Sequence, residues 1–191
     1  MIHFVVALRA EAAPLIERYG MERMEHGFRS EHECLVVTGV GKKAAAAATA
    51  ALHERIGALP NGTWLNVGIA GHRDRSPGEL ILASRVHDAV TGEVFDPPLP
   101  DVPSLERARV TTVDAPETRF PTPDVYDMEA SGVFGVARHF AVPRQVQCLK
   151  VVSDNRETGT IELTRAKVTE LIARHLESID AFVAHLREPG R

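Results

Sequence analysis

Apolar residues in this chain fall into short continuous runs that alternate with stretches of helical spacing. The first run, Ile2 to Leu8, is unbroken and predicts a strand buried on both faces. Ala10 to Tyr19 follows as a short helix, with Leu15 and Ile16 inward and Gly20 ending it. Arg23 to Ser30 is ambiguous and fits an edge strand. Glu33 to Thr38 is a second strand, and Gly39-Val40-Gly41 turns from it into an alanine-rich helix from Lys42 to Leu59. Pro60-Asn61-Gly62 marks a turn. Thr63 to Val67 reads as a short strand that ends in a glycine turn, Gly68-Ile69-Ala70-Gly71. Further strands are predicted at Leu80 to His87, Arg109 to Val113 and Gln145 to Val152. Val125 to Phe140 reads as a helix, with Asp127 as an alternative start. From Ile161 to Leu186, apolar residues recur every three or four positions, from Leu163 and Val168 to Val183 and Leu186. This is the pattern of one long helix with a core-facing stripe. Two proline-marked stretches, Gly92 to Leu105 and Pro116 to Pro123, read as loops.

Strands alternating with helices and glycine turns predict an α/β protein. The expected architecture is a single domain over residues 1–191, a three-layer α/β/α arrangement with a central mixed, largely parallel sheet. Such sheets bind ligands beyond the carboxyl ends of their strands. Glu11, the Gly39–Gly41 turn, the Gly68–Gly71 segment and Asp154 each follow a predicted strand, so four strand-end features are expected to face one crevice.

Composition narrows the choice of partner. A length of 191 residues suits one ordinary domain. The net charge of −4 offers no basic footprint for nucleic acid. No apolar run approaches the roughly 18 residues of a membrane span, and the N-terminal run reads as a first strand, not a signal peptide. Cys34 and Cys148 lie in separate apolar runs, as expected for buried free thiols in a cytoplasmic protein. The histidines show no ligand spacing, so neither a metal nor another cofactor is expected.

Two motifs carry the chemistry, Tyr126-Asp127-Met128-Glu129-Ala130 and Ser153-Asp154. They set one carboxylate at a helix start and another at a strand end, where both can converge on a small ligand. The pair resembles the ribose- and base-binding signature of the nucleoside phosphorylase/nucleosidase family, and the chemistry this implies, breaking a ribosyl C–N bond, requires an acid for the departing base, a holder for the sugar hydroxyls and an activated nucleophile on the opposite face. Asp154 is the candidate acid, set against the plainer reading of an Asp that caps a turn. Glu129 is the candidate ribose binder and Glu11 the candidate base for water. Each has the plainer reading of a carboxylate favoured in a helix's first turn. Met128 can pack on the sugar or in the core. Gly39-Val40-Gly41-Lys42 can cradle an anion or simply make a tight turn, and it lacks the spacing of a nucleotide phosphate loop.

In order along the chain, six segments resemble the nucleoside phosphorylase superfamily, and within it the methylthioadenosine/adenosylhomocysteine nucleosidase branch. They are Ala7-Leu8-Arg9-Ala10-Glu11, Gly39-Val40-Gly41-Lys42-Lys43-Ala44-Ala45, Asn66-Val67-Gly68-Ile69-Ala70-Gly71, His87-Asp88-Ala89, Asp127-Met128-Glu129-Ala130 and Ser153-Asp154. The resemblance implies hydrolysis of a purine-type nucleoside or thionucleoside, with Glu11 and Asp154 catalytic. It implies Met128, Glu129, Ser153, Ala70, Gly71 and Lys150 as substrate contacts, and a homodimer or higher oligomer. Phosphorolysis and non-catalytic nucleoside binding are the alternatives. The chain departs from the family in four respects. Its two proline loops are short, Pro116 stands where the branch has a purine-stacking Phe, Ile69 replaces a serine, and Lys150 replaces an arginine. Phe120, Phe95 and Tyr126 are the candidate replacements for the stacking ring.

Overall fold

The computed structural model describes residues 1–56, 62–158 and 163–187. Its elements run β1 (Ile2–Val6), α1 (Arg9–Arg18), β2 (Glu22–Met24), β3 (Gly27–Arg29), β4 (Glu33–Val37), α2 (Lys42–Ile56), β5 (Thr63–His72), β6 (Leu80–Asp88) and β7 (Val94–Phe95). They continue with β8 (Glu106–Thr112), β9 (Val125–Asp127), α3 (Ala130–Ala137), β10 (Val146–Asp154), α4 (Arg165–Ala173) and α5 (Leu176–Arg187).

The sheet is mixed, with two parallel blocks. In one, β4, β1, β5 and β10 run parallel. In the other, β6, β8 and β9 do so. The blocks meet antiparallel twice, where β10 pairs with β6 and where β5 pairs with β9. The path β5–β10–β6–β8–β9 therefore returns to β5 and closes. β5 makes this possible by its length. Thr63–Asn66 pair with β1, and Gly71 and His72 pair with β9.

Alternate residues of the central strands feed two cores, as a period of two requires. Phe4, Leu35, Leu65 and Leu149 join Leu15, Leu171 and Phe182 beneath α1, α4 and α5. Val5, Trp64, Cys148 and Val152 join Ala45, Val133 and Phe134 beneath α2 and α3. The expected three layers are thus present, and β1 and β10 are buried at every position.

Several expected elements change. Gly68 to Gly71 is not a turn but the second half of β5, paired residue by residue with β10. The helix expected from Val125 begins only at Ala130, because Val125–Asp127 are taken up as a strand between β8 and β5. The long C-terminal helix is two helices in the described residues. It breaks at Arg174–His175, where the His175 ring bonds the Gly78 carbonyl (2.6 Å); Ile161 lies outside the described residues. Arg23 to Ser30 resolves into the β2–β3 hairpin at the sheet edge, and the first proline loop contributes β7. α2 is seen to Ile56; residues 57–59 of the expected helix, and Pro60 and Asn61 of the expected turn, lie outside the described residues.

Candidate active site

A cavity of about 190 Å³ opens at the carboxyl ends of β1, β5 and β10. Glu11, Met128, Glu129, Ser153, Asp154, Ala70 and Gly71 all line it, with Leu8, Ile69 and Val40 between them. Lys150 lies behind this wall.

Glu11 sits in the first turn of α1, and its side chain turns back over the start of its own helix. Oε2 accepts the Ala7 and Leu8 N–H groups (2.9 and 2.8 Å), and Oε1 accepts the Ile69 N–H (2.9 Å). The Leu8 bond is the reciprocal half of a capping box, made without a side-chain cap. Gly68 makes room for it: a Cβ there would stand 2.9 Å from Glu11 Oε1 and 3.4 Å from Lys150 Nζ. Burial raises the Glu11 carboxyl above its ordinary range, opposed by the Ile69 N–H and the Lys150 charge.

Glu129 immediately precedes α3. Its Oε1 accepts the Gly41 N–H (2.9 Å). Gly39 and Gly41 reach that geometry with φ of +82° and +103°, a region that favours glycine. The glycine turn thus gives one N–H, that of Gly41, to the protein's own Glu129 carboxyl. Burial raises Glu129 too, with Lys150 the main opposing charge. Beside the turn, Lys42 bonds both oxygens of Asp88 (2.9 Å each) and reaches Asp114 (3.0 Å). The His87-Asp88-Ala89 segment thus anchors the start of α2.

On the third side, the Ser153 hydroxyl donates to Asp154 Oδ1 (2.5 Å) and lies 3.1 Å from the Ala70 carbonyl. A Cβ on Gly71 would meet the Phe120 ring at 2.7 Å and Asp154 Oδ2 at 3.1 Å. Phe120 is 2% exposed, in the Pro116–Pro123 loop, and holds a left-handed backbone with φ +46°. The Arg156 guanidinium pins it by donating to the carbonyls of Arg119 (3.0 Å) and Phe120 (3.2 Å). Of the three aromatic candidates, Tyr126 lines the cavity and Phe120 stands behind Gly71, its ring 5.8 Å from that of Tyr126. Phe95 packs on Phe134 in the other core.

Lys150 is 1% exposed and pairs with Asp127 Oδ2 (2.8 Å). Burial works against its charge, but Asp127 and Glu129 outweigh that and hold the proton. Sequence reasoning passed over Asp127 as a site residue in its own right, and also Leu8, Val40, Pro116 and Glu117 of the wall. The first signal for Asp127 is its place two residues before Glu129, where an Asp caps a helix start.

Among the described residues, no group of three or more His, Cys, Asp or Glu is placed to hold a metal ion. None of their helices is long and apolar enough to cross a membrane.

No protein-family model matches the sequence, and no curated protein matches it. Solved structures do match the fold. The 5′-methylthioadenosine nucleosidase of Arabidopsis thaliana superposes with a TM-score of 0.79 at 19% identity, over 99% of this chain and 96% of that one. The 5′-methylthioadenosine/S-adenosyl homocysteine nucleosidase of Campylobacter jejuni gives 0.74 at 16%, over 97% of each. Futalosine hydrolase of Helicobacter pylori gives 0.72 at 15%, over 95% of this chain and 97% of that one. The chain has the fold of these nucleosidases.

Proposed function

We propose that this protein hydrolyses the N-glycosidic bond of a purine-type nucleoside or thionucleoside. One observation carries the reading. Three carboxylates from three separate elements, Glu11, Glu129 and Asp154, converge on one small cavity. The nucleosidase fold supports it.

The geometry divides the work. Asp154 at the end of β10 protonates the departing base. Glu129 keeps Oε1 on Gly41 and offers Oε2 to the ribose hydroxyls, while Met128 packs beside the sugar. Glu11 takes a proton from water as the water oxygen bonds to the anomeric carbon. Its raised carboxyl is the more basic for being buried, which suits a general base near neutral pH. The same residue argues for water over phosphate. Phosphorolysis needs donors for a bulky anion, and the Ala7, Leu8 and Ile69 N–H groups facing the cavity are already occupied by Glu11.

A screen of purine nucleosides and 5′-thio analogues for free-base release, with and without inorganic phosphate, tests this. Phosphate-independent release with a reducing sugar as co-product is expected. Release only with phosphate would make the protein a phosphorylase. Binding without release would make it a nucleoside-binding protein.

A further inference from the structure

We propose that Asp127 is the positioning residue of this site, holding Glu129 directly and Glu11 through Lys150; the role rests on the nucleosidase reading above. The Asp127 side chain is fully enclosed. Its single carboxylate ties three elements together. Oδ1 accepts the Thr112 hydroxyl of β8 (2.6 Å). Oδ2 accepts the N–H groups of Glu129 (3.2 Å) and Ala130 (2.7 Å) and pairs with Lys150 of β10 (2.8 Å). The first two N–H groups fix the backbone from which Glu129 projects. The link continues outward. The Ser131 N–H donates to Thr112 Oγ1 (3.0 Å), and the Ser131 hydroxyl donates to Asp88 (2.8 Å). Asp88 in turn holds Lys42, the neighbour of the Gly41 that grips Glu129.

The electrostatic consequence follows from burial. The charges that act on the Glu11 carboxyl are Lys150, which lowers it, and, more weakly, Glu129, which raises it. Around Glu129 stand Lys150 and Asp127. Lys150 faces Asp127, Glu129 and the Cys148 thiol, which burial keeps neutral by pushing it up to about 12. Paired with Asp127, the ammonium has much of its charge answered by that carboxylate. Without it, the ammonium turns on Glu11 and Glu129, makes both less basic and draws them out of place.

The test compares Asp127→Asn, Asp127→Glu and Thr112→Val with the wild type. The readouts are base release against pH, and the titration of the Glu11 and Glu129 carboxyls followed by carbon NMR in glutamate-labelled protein. Asp127→Asn is expected to lower kcat by about tenfold or more. It should also shift the acid limb of the rate profile, and both carboxyl midpoints, down by about one pH unit. Asp127→Glu keeps the charge and should restore the midpoints. Thr112→Val, which removes one anchor, should move them the same way by less. A loss of activity and melting temperature with unmoved midpoints would reduce Asp127 to a structural cap and overturn the proposal. If Asp127→Asn does not fold, unmoved midpoints in Thr112→Val overturn it alone. Absence of base release from wild-type protein would instead sink the nucleosidase reading, and the NMR midpoints would still decide the role of Asp127.

Discussion

On the side of the cavity proposed to take ribose and water, Glu11 and Glu129 are gripped by backbone N–H groups just after β1, in the second half of β5 and in the turn before α2. On the base side, Asp154 takes a side-chain hydroxyl, and the wall beyond it is a proline-marked loop holding one aromatic ring in a left-handed conformation. Backbone donors on packed strands have no rotamers to change, so the first side presents charges of fixed position. A loop pinned by one arginine can change sequence and shape without moving those charges. On the proposed reading, the arrangement sets the charges that act on the sugar and water apart from the wall that selects the base.

Five substitutions press on that division. The largest effect is expected on the base side. Asp154→Asn should cut base release by about 10²–10⁴-fold, with nucleoside affinity within a few-fold of wild type; intact turnover would place the acid elsewhere. Next is Glu129→Gln, which should weaken ribonucleoside binding by about 1.5–3 kcal/mol and leave 2′,3′-dideoxynucleosides unaffected in an equilibrium titration. It also carries a pH signature. Because burial raises this carboxyl, the wild type gives up stability as pH climbs from 4.5 through the raised value, and the amide does not. Melting temperatures should therefore shift in favour of the variant across that window, and a difference that shrinks with rising pH would contradict the assignment.

The two glycines of β5 sharpen the comparison within one strand. Each alanine should cost about 1–3 kcal/mol in denaturant melts, with different functional results. Gly68→Ala meets Glu11 and Lys150 and should lower kcat for every substrate. Gly71→Ala meets Phe120 and Asp154 and should alter the ranking of bases. Identical kinetic profiles for the pair would erase the distinction. The smallest effect is expected for Arg156→Ala, which frees the Phe120 loop. Stability should stay within about 0.5 kcal/mol, while KM changes by an amount that differs from base to base.

The strand ends were legible because buried strands leave continuous apolar runs and the motif carboxylates follow them directly. All the candidate site residues except Lys150 stand at the cavity wall. What escaped depends on contacts distant in sequence. Gly68 and Gly71 look like turn residues, yet they sit in a strand because Glu11, Lys150 and Phe120 approach the backbone there. Val125-Tyr126-Asp127 is too short to show a period of two and joins an apolar run that reads as helix. The break at His175 interrupts no apolar spacing, since it is set by the Gly78 carbonyl nearly a hundred residues away. Asp127 shows the same limit. Beside Glu129 it reads as a cap, and only the fold brings Thr112 and Lys150 to it.

The closed path of strands also bears on how the molecule can assemble. β10 lies between β5 and β6, yet it is the last strand in the described chain. Until it inserts, β5 and β6 each expose an unpaired edge capable of joining another chain. Insertion must close loops of many tens of residues, which places it among the slower steps. The same strand carries Lys150 and Asp154, so closing the sheet and completing the cavity are one event.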